Sequence, residues 1–250
     1  MRELLPAATL PLKLKKEYGG GEVIIASVLP MLWPALHRAD GSIIVGLQAT
    51  VPGGDLSKAF AAAILAAQEL PAGEAVTNLQ VPADSPRLQD LLENEKAELK
   101  VEEDFQFWLD STVERTAEIE QVLQQANESI MPSKAVKGLE HAYWVDAGAK
   151  EHLRWIRHED EEQVIDAVAR LHAKRQSHVG EGTRYVGSFR ADGLTIPVWD
   201  LPKGYGVEGV EKEAVALKER FEEALAYTDE LSVMERRARG GIVARQVTLR

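Results

Sequence analysis

The chain has 250 residues, of which 40 are acidic and 29 basic, for a formal net charge of -11; 45% are hydrophobic and 28% charged. That balance offsets chain entropy and excludes a chain disordered throughout, and no apolar run approaches the roughly 18 residues that cross a bilayer. The absence of cysteine removes disulfides, thiolate nucleophiles and cysteine-ligated zinc.

Thr9–Glu17 and Glu22–Leu29 read as strands joined by Gly19-Gly20-Gly21, and Ser42–Thr50 as a third strand entered through the Asp40-Gly41 turn. Asp55 caps a predicted helix through about Glu69, apolar enough to be buried. Pro86 opens a short helix, Glu98–Leu109 reads as a strand, and Val113–Asn127 as an amphipathic helix. Residues 129–138 form a connector, so the reading divides the chain into lobes at 1–130 and 139–250, with one continuous domain as the alternative.

In the second lobe, Ala142–Val145 and His152–Ile156 form a hairpin around Gly148. Asp160 and Gln163 make a capping box for a helix through about Gln176. Arg184–Phe189 and Thr195–Leu201 pair across Asp192-Gly193, and a helix follows from about Val210 to Tyr227. Ser232 and Glu235 start a short helix that Gly240-Gly241 is expected to stop, and residues 242–250 alternate like a strand. The pattern predicts an α+β fold with antiparallel or mixed sheets and packed helices. An echo points to two similar, duplicated lobes: Arg38-Ala39-Asp40-Gly41 and Arg190-Ala191-Asp192-Gly193 match identically, each followed by a strand, a Pro/Gly loop and a helix.

Charge is uneven along the chain. Residues 89–128 hold 12 acids and 3 bases, whereas residues 235–250 hold 5 arginines against Glu235 alone. An acidic chain repels phosphates over most of its surface, so nucleic acid contact would rest on the arginine tail only. The tail offers Arg236, Arg237 and Arg239 either as ion-pair partners for neighbouring acids or as a basic patch for an anionic partner.

Gly204-Tyr-Gly206-Val-Glu-Gly209 matches GxGxxG between a strand and a helix, with Asp229 about 20 residues further on. The preceding strand contains Pro197, and too little chain follows Asp229 for the remaining units of a dinucleotide fold. The loop is therefore read as a plain glycine turn, and no cofactor is expected. A second candidate is a sheet face. With Ala147 opposite Lys150, Tyr143 lies across from Arg154, and His152 and His158 share their side. Such a face could fork Arg154 onto a carboxylate or phosphate, or it could be the solvated side of the sheet. Its histidines lack a metal-site spacing.

ELLPAAT at 3–9, SVLPMLWPAL at 27–36, SPRLQDLL at 85–92, KEHLRWIRHEDEE at 150–162, GEGTRYVGSFRADGLTIPVWDLP at 180–202 and ERRARGGIVARQVTLR at 235–250 resemble an uncharacterised family of actinobacterial proteins carrying a domain of unknown function. The likeness covers nearly the whole chain. Members are sometimes labelled a preprotein-translocase ATPase or a type II topoisomerase; this sequence, with no phosphate loop, supports neither label. The resemblance implies no established activity and no catalytic residues. Members tend to begin with a short basic extension, which implies a trimmed or later start at Met1.

These readings lead to the expectation of a cytoplasmic, non-catalytic binding protein, with a protein partner. The N-terminal stretch lacks the charge order of a secretory signal. The alternative is an enzyme or small-anion-binding protein using the face around Tyr143 and Arg154.

Overall fold

Alanine-rich α1 (Leu56–Gln68) shows how the first half of the chain is built. Asp55 caps it by accepting a hydrogen bond from the Lys58 N–H at 3.1 Å, and its small side chains let the helix lie close to a sheet, burying Ala59, Ala61, Ala63, Ile64 and Ala67. The computed structural model describes residues 4–47, 54–93, 96–191 and 193–244, and the backbone of 247–248. The chain forms two compact units, residues 1–130 and 131–250.

The first unit is a six-stranded sheet. Strands β1 (Ala8–Lys13) and β2 (Glu22–Ala26) form a hairpin from Thr9↔Ala26 to Lys13↔Glu22, with a turn of 3-10 helix at Lys16–Tyr18. Gly19, Gly20 and Gly21 all have positive φ, which is why the sequence needs three glycines there. Next come β3 (Ala35–His37) and β4 (Ile43–Gly46), an antiparallel pair around the first Arg-Ala-Asp-Gly turn, then β5 (Ala75–Val76) and β6 (Lys100–Val101). The lateral order is β5-β3-β4-β2-β1-β6, with β2·β4 parallel and the other pairs antiparallel.

All of β4 is buried because both faces are covered. Ile43 and Val45 join the cluster under α1, and Ile44 joins Phe105, Trp108 and Leu123 on the other side. Each such aliphatic side chain contributes about 1.5–3 kcal/mol on full burial. The strand expected at 98–109 is only β6. Asp104 caps a 3-10 helix at Phe105–Trp108, whose Phe105 and Trp108 rings stack at 4.5 Å, while Trp108 Nε1 donates to the Val28 carbonyl at 2.9 Å. Aromatic anchoring here overrides strand propensity. The amphipathic helix α3 (Ala117–Asn127) begins at the Thr116 cap, later than expected, and the short helix is α2 (Leu88–Leu91).

The second unit is also six-stranded, ordered β12-β10-β11-β9-β8-β7. Its strands are β7 (Ser133–Ala135), β8 (Ala142–Asp146), β9 (Glu151–Trp155), β10 (Arg184–Ala191), β11 (Leu194–Leu201) and β12 (Val247–Thr248). Helices α4 (Glu161–Ala173), α5 (Gly206–Ala226) and α6 (Val233–Val243) carry the apolar stripes of the core. Trp155, Trp199, Phe221 and Leu217 lie at its centre, with Trp155 and Phe221 rings 4.9 Å apart.

Two helix boundaries differ from expectation. Helix α5 begins at Gly206, and α6 runs through Gly240-Gly241 to Val243, so glycine does not stop it. Packing of Ile242, 1% exposed, holds that last turn against the low helix propensity of glycine. Within the tail, Val247 and Thr248 pair parallel with Phe189 and Arg190; positions 245, 246, 249 and 250 lie outside the described residues.

Each sheet places a first hairpin (β1β2, β8β9) beside a second (β3β4, β10β11) in the same lateral order. The junctions differ, however: β2·β4 is parallel and β9·β11 antiparallel. The second hairpin therefore runs in opposite directions in the two sheets, so one directed unit does not describe both. The echoed arginines also diverge. Arg38 is buried and donates to the Phe107 carbonyl, whereas Arg190 is partly exposed and pairs with Glu161 at 3.0 Å. Asp192 lies outside the described residues. No helix among the described residues is long and apolar enough to cross a membrane.

Candidate anion-binding site

The β8–β9 hairpin has the anticipated register, with Tyr143↔Arg154 and Val145↔His152, closed by the Ala147 N–H on the Lys150 carbonyl at 2.9 Å. The face is not a solvated one: Tyr143 is 6% exposed, and burial pushes its hydroxyl pKa up and that of the Arg154 guanidinium down. His158 does not join it. Strand β9 ends at Trp155, Arg157 N–H turns to the Thr195 carbonyl at 2.9 Å, and the His158 ring lies edge-on to His141, centroids 5.0 Å apart.

The charges on this face are already matched from within. Asp200 of β11, directly opposite His152, receives Lys150 Nζ at 2.6 Å, with His152 Nδ1 at 3.2 Å and an Arg184 nitrogen at 3.6 Å. Burial would raise the Asp200 carboxyl, but the hydrogen bond and charge of Lys150, with smaller effects of His152 and Arg184, hold it below its ordinary range. His152 is shifted down, because burial and the charges of Arg154 and Lys150 outweigh Asp200. Its Nδ1 lies at ion-pair distance from Asp200 without an aligned hydrogen bond.

The glycine loop is occupied in the same way. Glu151, 3% exposed, accepts from the Gly204 N–H at 2.6 Å, the Gly206 N–H at 2.8 Å and Trp144 Nε1 at 2.8 Å. The amides that a pyrophosphate would need thus hold an internal carboxylate. Burial alone would raise Glu151, but these three donors hold it below the ordinary carboxylate range.

The three tail arginines on α6, Arg236, Arg237 and Arg239, occupy three environments. Arg239 pairs with α4, its Nε 2.6 Å from Asp166 Oδ1 and Nη2 3.9 Å from Glu162 Oε1. Arg236 donates to the Leu231 carbonyl. Arg237 faces a cleft of about 520 Å³, formed by the end of α4, the start of β10 and α6, whereas Arg236 and Arg239 line a separate hollow with Glu230 and Leu231.

That cleft gathers Arg175, Arg184 and Arg237 with His172 and His178, and no carboxylate among the described residues lines it. The side chains of Arg175 and Arg237 have no hydrogen-bond or ion-pair partner among the described residues. Arg175 reaches the cleft by an unusual route. The Arg175 N–H bonds the His172 carbonyl at 3.0 Å and the Gln176 N–H the Leu171 carbonyl at 2.8 Å, a Schellman ending of α4. Arg175 takes the left-handed position, φ 59°, where glycine is favoured. Cations at a helix C-terminus suit the dipole, but Arg184 and Arg237 come from a strand and another helix.

Two hydroxyls in the cleft are engaged. Thr183 Oγ1 accepts from the Val179 and Gly180 N–H groups and donates to the Gly180 carbonyl at 2.8 Å, while Ser177 Oγ lies 3.1 Å from His172 Nδ1. No carboxylate orients His172, so the third member of a nucleophilic triad is missing among the described residues. The arrangement can hold negative charge. Sequence reading singled out Arg237 but missed Arg175, Arg184, His172 and His178; the one legible signal was an arginine where the α4 ending calls for glycine.

No curated protein and no solved structure matches the chain. A family model described as a family of unknown function (DUF5926) matches residues 1–250, the full length, and the chain belongs to that family.

Proposed function

We propose that the protein acts by binding, and that its second unit holds an anionic group in the cleft lined by Arg175, Arg184 and Arg237. The observation that carries this reading is the convergence of three guanidiniums, from the end of α4, from β10 and from α6, without a lining carboxylate among the described residues, on a chain of net charge -11. Guanidinium is the side-chain group best suited to phosphate and carboxylate, to which it makes paired, charge-assisted hydrogen bonds. The cleft is of ordinary small-ligand size, so the ligand class is a small molecule or short segment bearing phosphate or clustered carboxylates.

The face around Tyr143 and Arg154 is the weaker candidate because Asp200 already engages Lys150 and His152 there, whereas of the cleft's three arginines only Arg184 is shared with Asp200, at 3.6 Å. A calorimetric titration with inorganic pyrophosphate tests the proposal. Saturable binding that weakens as salt rises is expected; no heat of binding at low salt overturns it.

A further inference from the structure

We propose a second ligand site in this unit, a hollow of about 330 Å³ beside the α5–α6 connection, that takes a small molecule carrying both a carboxylate and an ammonium group, such as an α-amino acid. The hollow shares no lining residue with the arginine cleft, and its charge pattern differs.

Arg170 of α4 is its anchor. It is 5% exposed, its Nη2 donates to the Asp229 carbonyl at 2.6 Å, and its guanidinium lies 4.8 Å from the Tyr227 ring centroid. Its Nε and Nη1 have no hydrogen-bond partner among the described residues, Nη1 lying 3.8 Å from Glu235 Oε2. Arg220 Nε is also without a hydrogen-bond partner among the described residues, although Arg220 Nη2 donates to the His178 carbonyl at 3.0 Å. Unmade donors on a buried cation are costly, and a native structure that keeps them calls for a further acceptor. The unpartnered nitrogens are themselves covered, so a ligand carboxylate in the hollow that Arg170 and Arg220 line supplies one when their side chains turn toward it.

The rest of the hollow specifies the other end of the ligand. Lys174 adds a third cation, and Glu223, Glu230 and Glu235 face them with three carboxylates. Glu235 is held in its ionised form by Ser232, whose N–H donates to it at 2.7 Å, with Arg170 and Lys174 adding to the effect. The side chains of Lys174, Glu223 and Glu230 make no hydrogen bond or close ion pair among the described residues. A simple anion would meet three carboxylates and a simple cation three basic groups, whereas a zwitterion matches both sets.

The test is a calorimetric panel of the α-amino acids against the full chain, with acetate and methylamine as single-charge controls. At least one amino acid is expected to bind saturably and to shift the arginine Nε–H signals of Arg170 and Arg220 in a nitrogen-correlated spectrum. Lys174→Gln and Glu223→Gln, both at exposed positions, are expected to weaken that binding about tenfold, the loss of one charge-assisted hydrogen bond. Arg237→Gln is expected to leave it unchanged. The proposal is overturned if no amino acid binds, if acetate binds equally well, or if Arg237→Gln abolishes the binding.

Discussion

The carboxylate of Glu151 accepts the Gly206 N–H at 2.8 Å, at the start of the helix whose loop reads GxGxxG. This single relationship turns a nucleotide-like motif into a structural clasp between β9 and α5. Glu151→Gln would exchange a charge-assisted acceptor for an amide while keeping the side chain's size. Chemical denaturation is expected to show a loss of about 1.5–3 kcal/mol. A variant as stable as the parent would mean the clasp contributes nothing net.

Arg175 invites a test whose two readouts move in opposite directions. Replacing it by glycine relieves the left-handed conformation at φ 59° and should stabilise the fold by about 1 kcal/mol. The same change removes a cation from the cleft and should weaken pyrophosphate binding about tenfold. If stability falls instead, the Arg175 side chain holds structure and the functional reading of its strain fails.

Acid stability should show two contributions. The folded-state pKa of His152 is lowered from 6.5, so below that value the unfolded chain takes up protons the folded chain refuses, and stability declines as pH falls from 6.5 toward the folded value. Asp200 and Glu151 are lowered from 3.8 and 4.5, so their stabilisation is present above those values and is lost as pH falls through their folded values. Urea midpoints measured across this range should therefore fall in an upper and a lower phase. His152→Asn should flatten the upper phase, with a smaller effect on the lower phase through Asp200; an unaltered upper phase would show that His152 is not its source.

The paired strands, the α1 and α4 caps and the hairpin register were legible because local chemistry decides them: alternation, Asp55, Asp160 and the turn at Gly148. The short strands β3, β5 and β7 were not, since two or three residues carry no periodicity. Nor was the cleft. Arg175, Arg184 and Arg237 are separated in sequence and meet only through tertiary packing. The polar face around Tyr143 was visible as a pattern, but its neutralisation depended on Asp200 arriving from β11.

The C-terminal segment belongs to the fold through Ile242, 1% exposed, and through the pairing of Val247 with Phe189. Ile242→Ala should cost about 2–5 kcal/mol. A melting curve identical to the parent's would remove the segment from the core.

The central claim concerns which arginines hold the anion. Pyrophosphate affinity should be measured calorimetrically for Arg237→Gln and, as the control on the same helix, for Arg239→Gln, whose arginine is committed to Asp166 at 2.6 Å. The account predicts about a tenfold loss for Arg237→Gln with unchanged stability, and for Arg239→Gln an unchanged affinity with at most about 1 kcal/mol of stability lost. Equal affinities for the parent and Arg237→Gln, or an equal loss in both variants, would contradict it.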